Sequence, residues 1–152
     1  MPCEKDWVDI MTALLTPTIA ILGSVIAVLQ WRINRLRLKH ELFDKRYEIF
    51  TAAMAFVVSI VQNGKAIEVE RIKFLQRTKG AKFLFPEKID KYLEDIHRKA
   101  CDLQCLDAEL EGVGVGKERS ENVMKQSAIK KWFNVQLNAL AQQFQSFIKL
   151  EH

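Results

Sequence analysis

The sequence predicts an all-α fold, with one N-terminal transmembrane helix continuing into a cytoplasmic antiparallel helical bundle. Three observations predict it. Residues 10–29 hold no charged side chain over twenty positions. Beyond them, apolar residues recur at spacings of three and four, the signature of one helix face. No stretch alternates apolar and polar residues long enough to form a strand, since Phe83-Leu84-Phe85 is short and has no partner run. The chain of 152 residues allows little more than one domain. Its six Gly and three Pro argue against disorder or a long linker. Three Cys are too few for a disulfide framework.

The first element is the span. Twenty residues of helix at 1.5 Å each match a hydrocarbon core of about 30 Å. Trp7 and Trp31 bracket the run, and indoles favour the headgroup level. A cleaved signal peptide fits poorly, because no basic stretch precedes the run and no small-residue cleavage site follows it. Glu4, Lys5, Asp6 and Asp9 sum to −2 before the run. Arg32, Arg35, Arg37 and Lys39 follow it within eight residues. The positive-inside rule then places residues 1–9 outside and the C-terminal part in the cytoplasm, with the span at 10–31 in an inner (plasma) membrane. The same four basic residues are expected to contact anionic lipid headgroups of the bilayer.

One face of the span is unusual. Asp9, Thr12, Thr16, Ala20, Gly23, Ala27 and Gln30 recur at spacings of three and four, and all are small or polar. In lipid, small residues let backbones approach and polar ones bond across helices. With one span in the chain, this predicts a helix–helix interface with another copy or another protein, and self-association into a homo-oligomer is the expectation. Pro17 lies inside the run and removes one backbone hydrogen bond.

The cytoplasmic part, residues 32–149, is read as a bundle. No Pro or Gly lies between Gly23 and Gly64, so the span is expected to run on as the first bundle helix. Leu36, Phe43, Tyr47, Phe50, Met54, Val57 and Val61 form its expected seam. Gly64 caps it. A short helix follows over residues 66–78, with Ile67, Phe74 and Leu75 as its apolar positions, and ends at Gly80. Residues 81–88 connect onward, with Phe83 and Phe85 expected to plug the bundle and Pro86 to open a helix. Ile89, Leu93, Ile96, Ala100, Leu103 and Leu110 define that helix until the glycines at 112–116 break it. The last helix spans about 118–148, with Phe133, Leu137, Leu140, Phe144 and Phe147 inward. Residues 150–152 read as a tag remnant.

Few residues promise chemistry. His97, Cys101 and Cys105 share one face at spacings of four, yet the outer two lie about 12 Å apart along the axis and cannot share one ion. They read as half-buried side chains in a reducing compartment. Cys3, outside by this topology, could cross-link two copies. Gly112, Gly114 and Gly116 follow a helix rather than a strand and make a turn, not a phosphate loop. Residues 83–111 carry eight acids and four bases, but no second acidic helix completes a di-metal centre. No nucleophile set carries a supporting signature. The expectation is no enzyme, no cofactor and no metal. The net charge of +4 follows from topology, and no nucleic-acid motif accompanies it.

The segments FDKRYEIF, KFLFPEKIDKYLEDIHRKA and VGKERSENVMKQSAIKKWFNVQL carry a resemblance. Through Phe43, Asp44, Arg46, Tyr47, Phe83–Phe85, Ile89, Tyr92, Leu93, Ile96, Trp132 and Phe133, the chain resembles a family of uncharacterised bacterial single-span inner-membrane proteins with a cytoplasmic helical bundle. The resemblance implies that home and a helical fold, and brings no activity or site residue. The expected function is a membrane-anchored, self-associating interaction or scaffold module with an unknown cytoplasmic protein partner. The alternative is an oligomeric pore lined by the small-polar face.

Overall fold

The structure is a computed structural model that describes residues 4–112 and 114–148, with the side chains of residues 4–6, 8 and 16 set aside. Cys3, Val113 and residues 149–152, and the expectations attached to them, lie outside the described residues. So does the Thr16 side chain. The fold is all-α, and the described residues contain no strand. Helix α1 spans Glu4–Asn63, α2 Glu68–Thr78, α3 Ala81–Leu84, α4 Glu87–Gly112 and α5 Lys117–Ile148. The chain divides into two compact units, residues 1–41 and 42–152.

The first unit is a single stretch of helix. Its large apolar side chains, among the described residues, are all open, from Trp7 at 70% to Leu29 at 52% exposure. Helix forms across Pro17 with every described peptide bond trans. Thr18 Oγ1 donates to the Leu14 carbonyl at 2.5 Å, and Ser24 Oγ to the Ala20 carbonyl at 2.8 Å. Both hydroxyls are thereby satisfied on their own helix.

The second unit is a helical bundle. Its core unites Ile49, Ala53, Phe56, Val57 and Ile60 of α1 with Phe74 of α2 and Ala81 and Phe85 around α3. Ile89, Leu93, Ile96, Ala100 and Leu103 of α4 and Phe133, Leu140 and Phe144 of α5 complete it. Each buried Val, Leu, Ile or Phe among them contributes about 1.5–3 kcal/mol by leaving water, and each Ala less. α4 and α5 run antiparallel: Tyr92 meets Gln136 near one end, and Asn122 meets Leu106 near the other. Phe50 packs on Phe144 at 5.6 Å, and Phe56 stacks on Phe74 at 4.7 Å.

The turns follow local chemistry. Gly64 sits at φ +66° and donates to the Ile60 carbonyl, so the expected cap is in place. Ile89 N–H reaches back to the Pro86 carbonyl at 2.9 Å as α4 begins. α4 ends at Gly112, where the glycine-rich stretch starts.

Three expectations are corrected. The α1 seam is rotated by about one residue: Ile49, Ala52, Ala53, Phe56 and Ile60 are buried with Val57, whereas Phe50, Met54 and Val61 are half-buried and Tyr47 is exposed. Ala52, Ala53 and Phe56 turn inward, and Tyr47 and Phe50 are left to the flank. The second correction concerns residues 81–84, which form a short helix, and Phe83, which is 80% exposed. The helix turns Phe85 inward and Phe83 out, so only Phe85 plugs the bundle. Third, the short second helix begins at Glu68, because Ile67 is extended at φ −80°, ψ 128°, and its Leu75 is exposed.

Candidate functional site

Two places hold residues whose arrangement asks for a function. The first is the helix of residues 4–41. It is long and apolar enough to cross a membrane, and none of its most apolar stretch is buried. Asp9, Thr12, Ala20, Gly23, Ala27 and Gln30 are exposed on it. A side chain built at Gly23 would meet nothing within 4 Å. At 3.6 residues per turn, the small-polar positions fall within an arc of about 80°. Arg32, Arg35, Arg37 and Lys39 are also exposed. Arg35 lies over the Trp31 ring at 4.5 Å, a cation–π contact that fixes the indole beside the basic collar. Arg37 pairs with Glu41 at 3.2 Å, one helical turn on.

The second place lies between α2 and α4. Phe74, Leu75, Thr78 and Lys79 face Asp90, Leu93, Glu94 and His97 across a groove of about 340 Å³. His97 joins the two helices at the groove's end. Its Nε2 lies 3.3 Å from Arg71 Nη1 and 3.6 Å from Cys101 Sγ. Arg71 can only donate, so Nε2 is the acceptor and the ring proton belongs on Nδ1. Burial, and then the Arg71 charge, hold the imidazole pKa below its ordinary value. Arg71 Nε is buried without a hydrogen-bond partner. The three-residue spacing argument holds in part: Cys101 touches His97, whereas Cys105 is exposed. Among the described residues no group of three His, Cys, Asp or Glu is arranged to hold a metal ion.

A polar ladder on α5 went unread in the sequence. Asn122 donates to the Leu106 carbonyl at 3.0 Å and to Glu109 at 3.3 Å. Gln126 donates to Asn122, and Lys130 to Gln126. Higher up, the Tyr92 hydroxyl donates to Gln136 Oε1 at 2.6 Å, and burial pushes its pKa to about 12. The signal was available. Counting back from Phe133 by four and three gives Ile129, Gln126 and Asn122, an inward face carrying amides where apolar residues were sought. These amides fix the register of α4 against α5, because a buried amide without its partner costs about 1–3 kcal/mol.

Comparison with protein families, with curated proteins and with solved structures finds no match for this chain.

Proposed function

We propose that the protein is a membrane-anchored helical interaction module that self-associates through its N-terminal helix and presents a bundle to cytoplasmic partners. One observation carries this reading. Twenty uncharged residues form a helix whose apolar side chains are left open among the described residues, while the bundle of residues 42–152 has a core of its own. A helix so apolar needs lipid or protein around it. The charge asymmetry across it supports an N-terminus outside and a bundle in the cytoplasm of a bacterial inner membrane. Arg32, Arg35, Arg37 and Lys39 would then lie at the anionic headgroups, each worth about 1 kcal/mol near the surface. The small-polar face from Asp9 to Gln30 supports close approach of a second helix. Among the described residues the bundle offers no assembled set of nucleophile, base and oxyanion donors, and so we assign it binding rather than catalysis.

Mass measurement of the full chain in a mild detergent tests the reading. A discrete oligomer is expected. A monomer at every concentration would overturn self-association. Ion flux through the protein in liposomes would replace the module by a pore lined by Thr12 and Gln30.

A further inference from the structure

We propose that two copies pair in parallel along a Leu/Ile seam on the first helix, and that this pairing continues past the membrane into the basic collar. The inference rests on the self-association proposed above and names its contact face. Leu15, Ile19, Leu22, Ile26, Leu29, Ile33 and Leu36 alternate at spacings of four and three. Written as heptads, every a position from 19 to 33 is Ile and every d position from 15 to 36 is Leu. β-branched residues at a with Leu at d favour two parallel strands, because each shape fills the hole that a two-stranded crossing provides. His40 occupies the next a position, and a single polar residue there fixes register at some cost in stability.

Lipid alone does not account for this seam. It would cover Leu15 to Leu29, but Ile33 and Leu36 lie beyond Trp31 among Arg32, Arg35, Arg37 and Lys39. There the surroundings are headgroups and water, and both side chains are about 60% exposed. A second copy covers them with an identical surface. The seven side chains are each 52–61% exposed. Within lipid the five residues from Leu15 to Leu29 gain from shape-matched packing, while Ile33 and Leu36 beyond it also gain from leaving water. Like charge in the collar is moderated on the same helix, since Arg37, at an e position, is already paired with Glu41.

The seam and the small-polar face lie side by side on the helix. Asp9, Thr16, Gly23 and Gln30 fall at e, on the border of the a/d seam, where small side chains let the two helices close up. Ala20 and Ala27 fall at b, farther round. Pairing centred on the seam and pairing centred on the small-polar face therefore bring different positions together.

Disulfide scanning of the full chain in membranes, with Cys3, Cys101 and Cys105 replaced by Ser, separates them. Single cysteines go to the d positions (Leu22→Cys, Leu29→Cys, Leu36→Cys), to b (Ala20→Cys, Ala27→Cys) and to f (Leu38→Cys). The expected result is severalfold more cross-linked dimer at all three d positions than at b or f, with a detergent mass of two copies. Strongest cross-linking at Ala20 and Ala27 would overturn the seam and leave self-association standing. Equal yields at all six positions would report random collision and overturn the seam. A mass of four or more copies would overturn the two-stranded pairing. A monomer with no cross-link would overturn both readings.

Discussion

His97 accepts from a guanidinium and a thiol with one nitrogen, and protonation turns that acceptor into a donor facing Arg71. Its folded pKa lies below the unfolded one, so the unfolded chain binds the extra proton more readily. The bundle is therefore expected to be most stable above the ordinary imidazole pKa. It loses stability as the pH falls through that value, until the folded form also titrates. Thermal unfolding of the full chain in detergent at pH 7.5, 6.5 and 5.5 should show a fall that His97→Gln flattens. An equal fall in the variant would place the pH sensitivity elsewhere. Tyr92 offers a second check at this scale. Tyr92→Phe leaves Gln136 Oε1 without its donor and should cost about 1–2 kcal/mol in a denaturant titration. His97 was legible as a chemical residue from its spacing to Cys101. Its real neighbour, Arg71, was not, because contacts between helices leave no mark in local spacing.

Among the elements, α4 was the most legible. Ile89, Leu93, Ile96, Ala100 and Leu103 are all buried, as their periodicity predicts. A helix packed on several sides reads clearly, because its burial follows side-chain size. α1 was less legible, because the small Ala52 and Ala53 take buried positions while the larger Phe43, Tyr47 and Phe50 pack with one another along the edge. Arg46 shows how the elements are tied. Its Nε donates to the Leu84 carbonyl at 3.1 Å and its Nη1 to the Phe147 carbonyl at 3.3 Å. Both carbonyls lie in the last turn of a helix, where no intrahelical partner remains and the dipole is negative. Arg46→Met keeps the stem and deletes the donors, so the denaturant midpoint should fall by the equivalent of about 1–3 kcal/mol. Arg46→Lys should recover only part, since one ammonium cannot fork between two carbonyls. An unchanged midpoint in Arg46→Met would show the clamp to be dispensable.

Over the whole molecule, the mean hydropathy of −0.07 averages two unlike compositions. A twenty-residue uncharged run offsets a bundle rich in Lys, Glu and Asp. The all-α class and the apolar N-terminal helix were both legible, since an uncharged run and a 3.6-residue period survive without tertiary information. The amide ladder was not, because burial of Asn and Gln depends on partners that only the fold supplies. The core joins the two ends of the bundle's sequence: Phe144, near its close, packs on Phe50. This closure has a consequence in time. During synthesis, Phe144 emerges 84 residues after Ile60. At 5–20 residues per second, the inward face of α1 waits roughly 4–17 s for its last partner. During that interval Phe50 lacks the Phe144 ring it packs on, and only the earlier helices, through contacts such as Phe56 on Phe74, cover the face, so the nascent chain keeps apolar surface open that a holdase chaperone would cover. A chain stopped at residue 130 would keep that surface open for good, and should be recovered in aggregates while the full chain is recovered folded.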